Sequence, residues 1–267
     1  ETLGWSLKDI INSEDPEIIK KTNIAQPYIF SVSYCYGIEA INNLGNPAAL
    51  IGHSLGEYTA LCLSGYLDYK DALKVIAVRG EEMHKAVENS NTTMAAVLTG
   101  DLETTIEEIE KLNNQGIQIW ISNFNDPSQI VISSYIDDMN YLKSNPKALG
   151  AKRVIPLEVA GAFHTEIVSS AKKPLEDTLN SIDISEGKIP VYMNVDAKKV
   201  EVSTLKENLV NQIDNSVLFN QQIEFVNNDI DPDLWCHIGP GNVTAGMVRK
   251  SISYKDLKVI NSLESSK

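Results

Sequence analysis

Along the first ninety residues the apolar positions recur mostly at helical spacing. "SLKDIIN" (6–12) and "QPYIFSVSYCYGIEAINN" (26–43) predict two helices, the second opening with Pro27 near its first turn. The apolar run "NPAALI" (46–51) predicts a short buried strand, and "GEYTALCLSGYL" (56–67) the helix that follows it. "DYKDALKVIAVRGEEMHKAVEN" (68–89) predicts another helix, with Ala72, Val75, Ile76, Val78 and Met83 on its apolar face.

After Asn91 the rhythm changes. "TMAAVLTG" predicts a strand and "DLETTIEEIEKLNNQG" an amphipathic helix. "IQIWISNF" and "SQIVISSY" predict strands joined by the turn-forming "NDPS". "IDDMNYLKSNPKALG" predicts a second helix and "AKRVIPLEV" a closing strand. The order β-α-β-β-α-β is the ferredoxin-like arrangement. Residues 94–157 therefore read as a small unit inserted into a larger one made of 1–93 and 158–267. Beyond it come a helix behind His164, a strand "IPVYMNV", a helix around "TLKENLVNQI", a strand "DLWCHIGP", and a Gly-rich turn into a last helix. Strands alternating with helices predict an α/β core with a mainly parallel sheet.

Composition narrows the function classes. The chain has 267 residues, 43% hydrophobic and 22% charged, enough to bury a full core. A net charge of −13 argues against a nucleic-acid partner, whose phosphates it would repel. No apolar run approaches the ~20 residues of a membrane helix, and no secretory leader opens the chain, so a cytoplasmic location is expected. Cys35, Cys62 and Cys236 are odd in number and far apart, and read as buried thiols in a reducing compartment. The four histidines lack metal-ligand spacing, so no metal site is expected.

Candidate chemistry centres on Gly52-His53-Ser54-Leu55-Gly56, the G-x-S-x-G pattern of a nucleophile elbow, in which a strained strand-to-helix turn exposes the serine. A plain strand–helix turn without chemistry is the alternative. The elbow makes the large unit hydrolase-like, with both flanking glycines expected to permit a close strand–helix approach. A serine hydroxyl needs a neighbouring base. His53 adjoins Ser54, but adjacent side chains diverge, so a structural role is expected of it. His84 lies on a charged helix face and is expected to be solvated; His237 ends a strand and reads as a packing residue. His164, in "GAFHTE" at the join between the two units, is the best candidate base, with a helix-capping role as the alternative.

Together "GHSLGEY", "VRG", "NFNDPSQIVIS", "GAFHT" and "IGPGNV", in that order along nearly the whole chain, resemble the malonyl-CoA:acyl carrier protein transacylase family, which includes the acyltransferases of fatty acid and polyketide synthases. The resemblance implies that Ser54 is the acylated nucleophile and His164 its base. It also implies that Gln212 orients the histidine through a backbone carbonyl, with no aspartate in the set. The Leu55 N–H would donate to the oxyanion. Arg79 would bind the malonyl carboxylate, Phe163 would fill the space an α-methyl needs, and Gln26 would support the site. Without the resemblance, Arg79 reads as an ordinary helix-surface arginine.

The implied reaction moves a malonyl group from coenzyme A to the phosphopantetheine thiol of an acyl carrier protein through a seryl ester. It needs no cofactor of the protein's own. Association with a synthase complex is implied as well, and "AKR" (151–153), "AKK" (171–173) and "RK" (249–250) are candidate basic patches for an acidic carrier. Rival readings are an acyl hydrolase or thioesterase on the same dyad, and an inactive docking module. One departure stands out. The family opens with a strand and a Gly-Gln-Gly-Ser-Gln loop that supplies a second oxyanion donor, whereas "ETLGWSL" resembles sequence beyond that loop. Those residues are expected upstream, and without them the polypeptide is expected to be poorly active.

Overall fold

The computed structural model describes residues 2–13 and 17–265. Glu1 and the last two residues, which the expected large unit includes, lie outside them. The first half of the large unit is helical: α1 (Leu7–Ile11), α2 (Thr22–Leu44), the two-residue strand β1 (Leu50–Ile51), α3 (Leu55–Ser64) and α4 (Tyr69–Val87). Asp68 caps α4 by accepting from the Lys70 N–H at 2.8 Å, and Gly65 ends α3 in a left-handed conformation. Pro27 is not near the start of α2 but lies at its sixth residue. The helix begins earlier than the Pro27 signal suggests because its first turn packs on α4. A Cβ at Gly80 would come within 3.1 Å of the Asn23 Cα.

Residues 92–156 then form a separate sheet. Its elements are β2 (Thr92–Leu98), α5 (Leu102–Asn114), β3 (Ile119–Asp126), β4 (Gln129–Tyr135), α6 (Ile136–Ser144) and β5 (Arg153–Pro156). The four strands are antiparallel, in the order β3-β4-β2-β5. Asp101 caps α5 through the Thr104 N–H. Apolar side chains on one face of the strands meet those of α5 and α6. Ala95, Val97, Ile130, Ile132, Leu142 and Leu149 form a core distinct from that of the helical half. β2 starts at Thr92, two residues before the expected boundary.

The chain returns through α7 (Lys172–Asn180), β6 (Val191–Tyr192), α8 (Val202–Asn211), α9 (Phe219–Ile230), β7 (Leu234–Ile238), α10 (Val243–Ser251) and β8 (Asp256–Ile260). The molecule is thus an α/β protein. Its parallel strands do not form one sheet: β1 pairs with β6 and β7 with β8, as two separate pairs. β1 and β6 are too short to propagate a sheet, since β1 stops at the elbow turn and β6 ends just before Asn194, whose side chain turns back onto that elbow. Residues of β1 and β7 line a common cleft of about 890 Å³.

Two elements carry no clear sequence signal. α9 buries Asn220 and Gln222, which break its apolar stripe, and Gln222 Nε2 donates to the Tyr192 carbonyl at 2.5 Å. β8 is partly exposed along most of its length and shows no alternation. The cysteines also depart from expectation: only Cys62 is buried, whereas Cys35 and Cys236 are exposed. Cys35 falls on the outer face of α2, and Cys236 alternates with the buried Trp235 on the β7 pleat. Among the described residues no helix is long and apolar enough to cross a membrane.

Candidate active site

Ser54 sits between β1 and α3 with φ 50° and ψ −105°, a strained conformation for a residue bearing a side chain. A Cβ at Gly52 would overlap the Gly56 carbonyl and the Glu57 nitrogen, so the strand can approach the helix only with glycine there. Gly56 differs from expectation. A Cβ there meets open space, because that side of the first helical turn faces the cleft. The Leu55 N–H, at the first position of α3, is one of the donors a helix leaves without an intrahelical acceptor.

The turn is held from outside by Asn194. Its Oδ1 accepts from the Ser54 N–H at 2.8 Å, and its Nδ2 donates to the Gly52 carbonyl at 2.6 Å. Ser54 Oγ lies 2.8 Å from His164 Nε2, and His164 Nδ1 lies 2.8 Å from the Gln212 carbonyl. A carbonyl only accepts, so the proton sits on Nδ1 and Nε2 faces Ser54 with its lone pair. His164, only 5% exposed, also has a positive φ of 59°. Burial and, behind it, the Arg79 charge depress its pKa to about 3, while the Gln212 carbonyl pulls it upward.

Arg79 is not on the helix surface. It is 1% exposed, because it sits on the face of α4 that packs on α2 and α3. Nη1 donates to Gln26 Oε1 at 2.5 Å; Nη2 donates to Ser54 Oγ at 2.9 Å and to Gln212 Oε1 at 2.8 Å. These acceptors are two amides and a hydroxyl, none of them an anion. The guanidinium carbon lies 5.6 Å from the centre of the Tyr58 ring, and the buried Nε has no hydrogen-bond partner. Gly80, by letting α2 and α4 close together, is what brings Gln26 within reach. Phe163 is half-buried, packed on the main core and lining the cleft.

The expected set of Ser54, Leu55, His164, Gln212, Arg79, Gln26 and Phe163 therefore converges on one end of the cleft. The other histidines stay apart from this hydrogen-bond network. His53 Nε2 lies 2.9 Å from Asn125 Oδ1, joining the elbow to the small sheet, and His237 Nδ1 lies 2.6 Å from Thr244 Oγ1. His84 is half-buried on α4 rather than solvated. Three of the basic candidates are already ion-paired: Lys172 with Asp214, Lys173 with Glu176 and Asp177, and Lys250 with Asp126. Among the described residues no group of three or more His, Cys, Asp or Glu side chains is placed to hold a metal ion.

Sequence reasoning missed Asn194 and Glu57. Asn194 lies just beyond the end of a parallel strand, the position where α/β sheets present functional loops, and that signal could have found it. Glu57 directly follows the elbow motif. It is fully buried, and burial raises its carboxyl to about 8 against the pull of the Asn194 N–H, the Gln212 amide and the Arg79 charge.

Residues 1–264 match the family model described as "Acyl transferase domain". The malonyl CoA-acyl carrier protein transacylase of Bacillus subtilis (strain 168) is 36% identical over 252 residues, covering 94% of this chain and 79% of that protein. Among solved structures, MCAT from Streptococcus pneumoniae superposes with a TM-score of 0.90 at 30% identity, over 99% of this chain and 86% of that one. A malonyl-transacylase in complex with its type II PKS acyl-carrier protein gives 0.91 at 28%, over the same shares. An elbow serine, a histidine fixed by a carbonyl and a buried arginine, on a chain matched over nearly its whole length, place this protein in the acyl transferase domain family.

Proposed function

We propose that this protein transfers a malonyl group from malonyl-CoA to the phosphopantetheine thiol of an acyl carrier protein, with Ser54 as the nucleophile. His164 Nε2 takes the Oγ proton as Oγ bonds to the thioester carbon. The Leu55 N–H faces the developing oxyanion, the carbon–sulfur bond breaks, and His164 returns its proton to the coenzyme A sulfur. In the second half-reaction the carrier's thiol gives its proton to His164, its sulfur attacks the seryl ester, and Ser54 leaves with that proton. The Gln212 carbonyl holds the imidazole in the tautomer both halves need.

The observation that carries the malonyl reading is Arg79: a buried guanidinium 2.9 Å from the nucleophile with only neutral acceptors around it. A cation in that position awaits an anion, and a planar fork suits a carboxylate. When the malonyl carboxylate takes Nη2, Ser54 Oγ is released from Arg79 and the charge that depresses His164 is partly cancelled, so the base strengthens as substrate binds. Gln26 anchors Nη1 meanwhile, and Phe163 occupies the volume next to the acyl carbon. A hydrolase of neutral esters has no use for such a cation, and an inert docking module none for a hydrogen-bonded serine and histidine. The reaction runs on these side chains without a cofactor of the protein's own, in the cytoplasm.

The large unit, 1–93 with 158–267, is read as the hydrolase-like half that carries the dyad, and 94–157 as a ferredoxin-like half. The strand order supports the latter: numbered in chain order from β2, the strands run 4-1-3-2 across the sheet. Separate apolar cores support the division.

The test is Arg79→Ala, with kcat/KM measured for malonyl-CoA and acetyl-CoA. Truncating a charged contact in a desolvated pocket costs ~2–5 kcal/mol, so malonyl loading falls about 30-fold or more while acetyl loading falls little. Because Arg79 lowers the His164 pKa and the neutral imidazole is the base, the variant's acid limb also moves to higher pH. Equal losses for both thioesters overturn the assignment.

A further inference from the structure

The reacting groups are held by a second set of side chains, and their donors and acceptors converge on one residue. Glu57 lies one turn into α3, three residues after Ser54, and is fully buried. Its Oε1 accepts from the Asn194 N–H at 2.5 Å and its Oε2 from Gln212 Nε2 at 2.6 Å. Asn194 grips the elbow at the Gly52 carbonyl and the Ser54 N–H. Gln212 reaches Ser54 and Arg79 with its side chain and His164 with its backbone carbonyl. Both routes to the reacting atoms therefore start at one buried carboxyl group, whose two oxygens both accept.

We infer that Glu57 is a positioning residue for the acyl transfer, fixing the Gln212 amide and the Asn194 clamp. The inference rests on the acyltransferase reading above. The donor–acceptor pattern allows Gln212 only one orientation. With Nε2 toward Glu57, that nitrogen also meets the Ser54 carbonyl at 3.0 Å and Asn194 Oδ1 at 3.3 Å, and Oε1 meets Arg79 Nη2. Turned over, the amide would set its NH₂ against the guanidinium and its oxygen against three acceptors. With both oxygens accepting, as they do here, Glu57 forbids the turned state, and a group with a donor end does not. Glu57→Gln keeps size and shape but points an NH₂ at either the Asn194 N–H or the Gln212 amide. Glu57→Asp loses a methylene and keeps the carboxyl head.

The order of these two variants separates chemistry from packing. Ser54 reactivity is read by labelling with an alkyl fluorophosphonate, which carries no malonyl group, and loading is read from malonyl-CoA and acetyl-CoA by intact mass. Glu57→Gln is expected to slow labelling and both loadings about 100-fold, the scale of misplacing a reacting group by an ångström. Glu57→Asp is expected to lose less. Wild-type rates in Glu57→Gln, or a Gln variant faster than the Asp variant, overturn the inference. Should circular dichroism show Glu57→Gln unfolded, Gln212→Ala and Asn194→Ala take its place, since each removes one route. Loss of labelling in either supports the role of Glu57, and unchanged labelling in both overturns it. Wild type that labels but never loads malonyl would sink the acyltransferase reading instead, while the fluorophosphonate order still decides Glu57.

Discussion

The small sheet and the dyad are built in opposite ways. Residues 92–156 are contiguous, β3 and β4 are joined by a tight turn, and β2 pairs with β4 in one unbroken antiparallel register. The reactive end of the cleft draws Gln26, Ser54, Glu57, Arg79, His164, Asn194 and Gln212 from six separate stretches, and nearly all of its contacts are polar. One region gains its shape from apolar burial that tolerates adjustment. The other gains it from matched donors and acceptors, each of which is costly to leave unmade in a dry site.

If that contrast is right, the largest effect comes from one oxygen atom. Ser54→Ala is expected to abolish the malonyl adduct on brief incubation with malonyl-CoA while circular dichroism and melting stay near wild type. An adduct of unchanged amount would remove Ser54 from the mechanism. The converse experiment is Ile132→Ala, which empties the centre of the small sheet, where Ile132 is fully buried opposite Ala95 and Ile121. A cavity there costs about 2–5 kcal/mol of stability by denaturant titration. Fluorophosphonate labelling of Ser54 well below the melting point should nevertheless stay within about threefold of wild type, because additivity holds for distant sites. A large loss of labelling would mean the two regions are one cooperative device. The smallest effect is expected at their joint. Lys250 on α10 reaches the buried Asp126 of the β3–β4 turn at 3.1 Å. Lys250→Met should lower stability by about 1 kcal/mol, with the difference shrinking in high salt. A salt-independent loss would assign the joint to packing instead.

The same contrast decides how much could be read from the sequence. The elements of the small sheet and their order were legible, with several boundaries displaced by a few residues, since its pattern is local and its caps and turn are ordinary. Ser54 and His164 were legible too, because an elbow and a histidine at a domain join leave short motifs. Asn194 and Glu57 were not, since what makes them matter is a partner more than a hundred residues away along the chain. Arg79 was misread as a surface residue because of its charge. It shares the buried stripe of α4 with Ala72, Val75, Ile76 and Met83, while Lys70, Lys74 and Lys85 face solvent. α9 escaped for a related reason, as Gln222 sits where an apolar residue would have completed the stripe.

Ser54 and His164 share one further property: both have positive φ, at 50° and 59°. Such backbone conformations cost of order 1–3 kcal/mol each for residues with a Cβ and persist only where the surrounding structure over-determines them. Glycine at either position would relax that strain, so the reactive pair works against the stability of its own fold. The catalytically dead glycine variants are then expected to be the sturdier proteins. Selection for thermostability alone, with no demand for turnover, would favour losing the dyad.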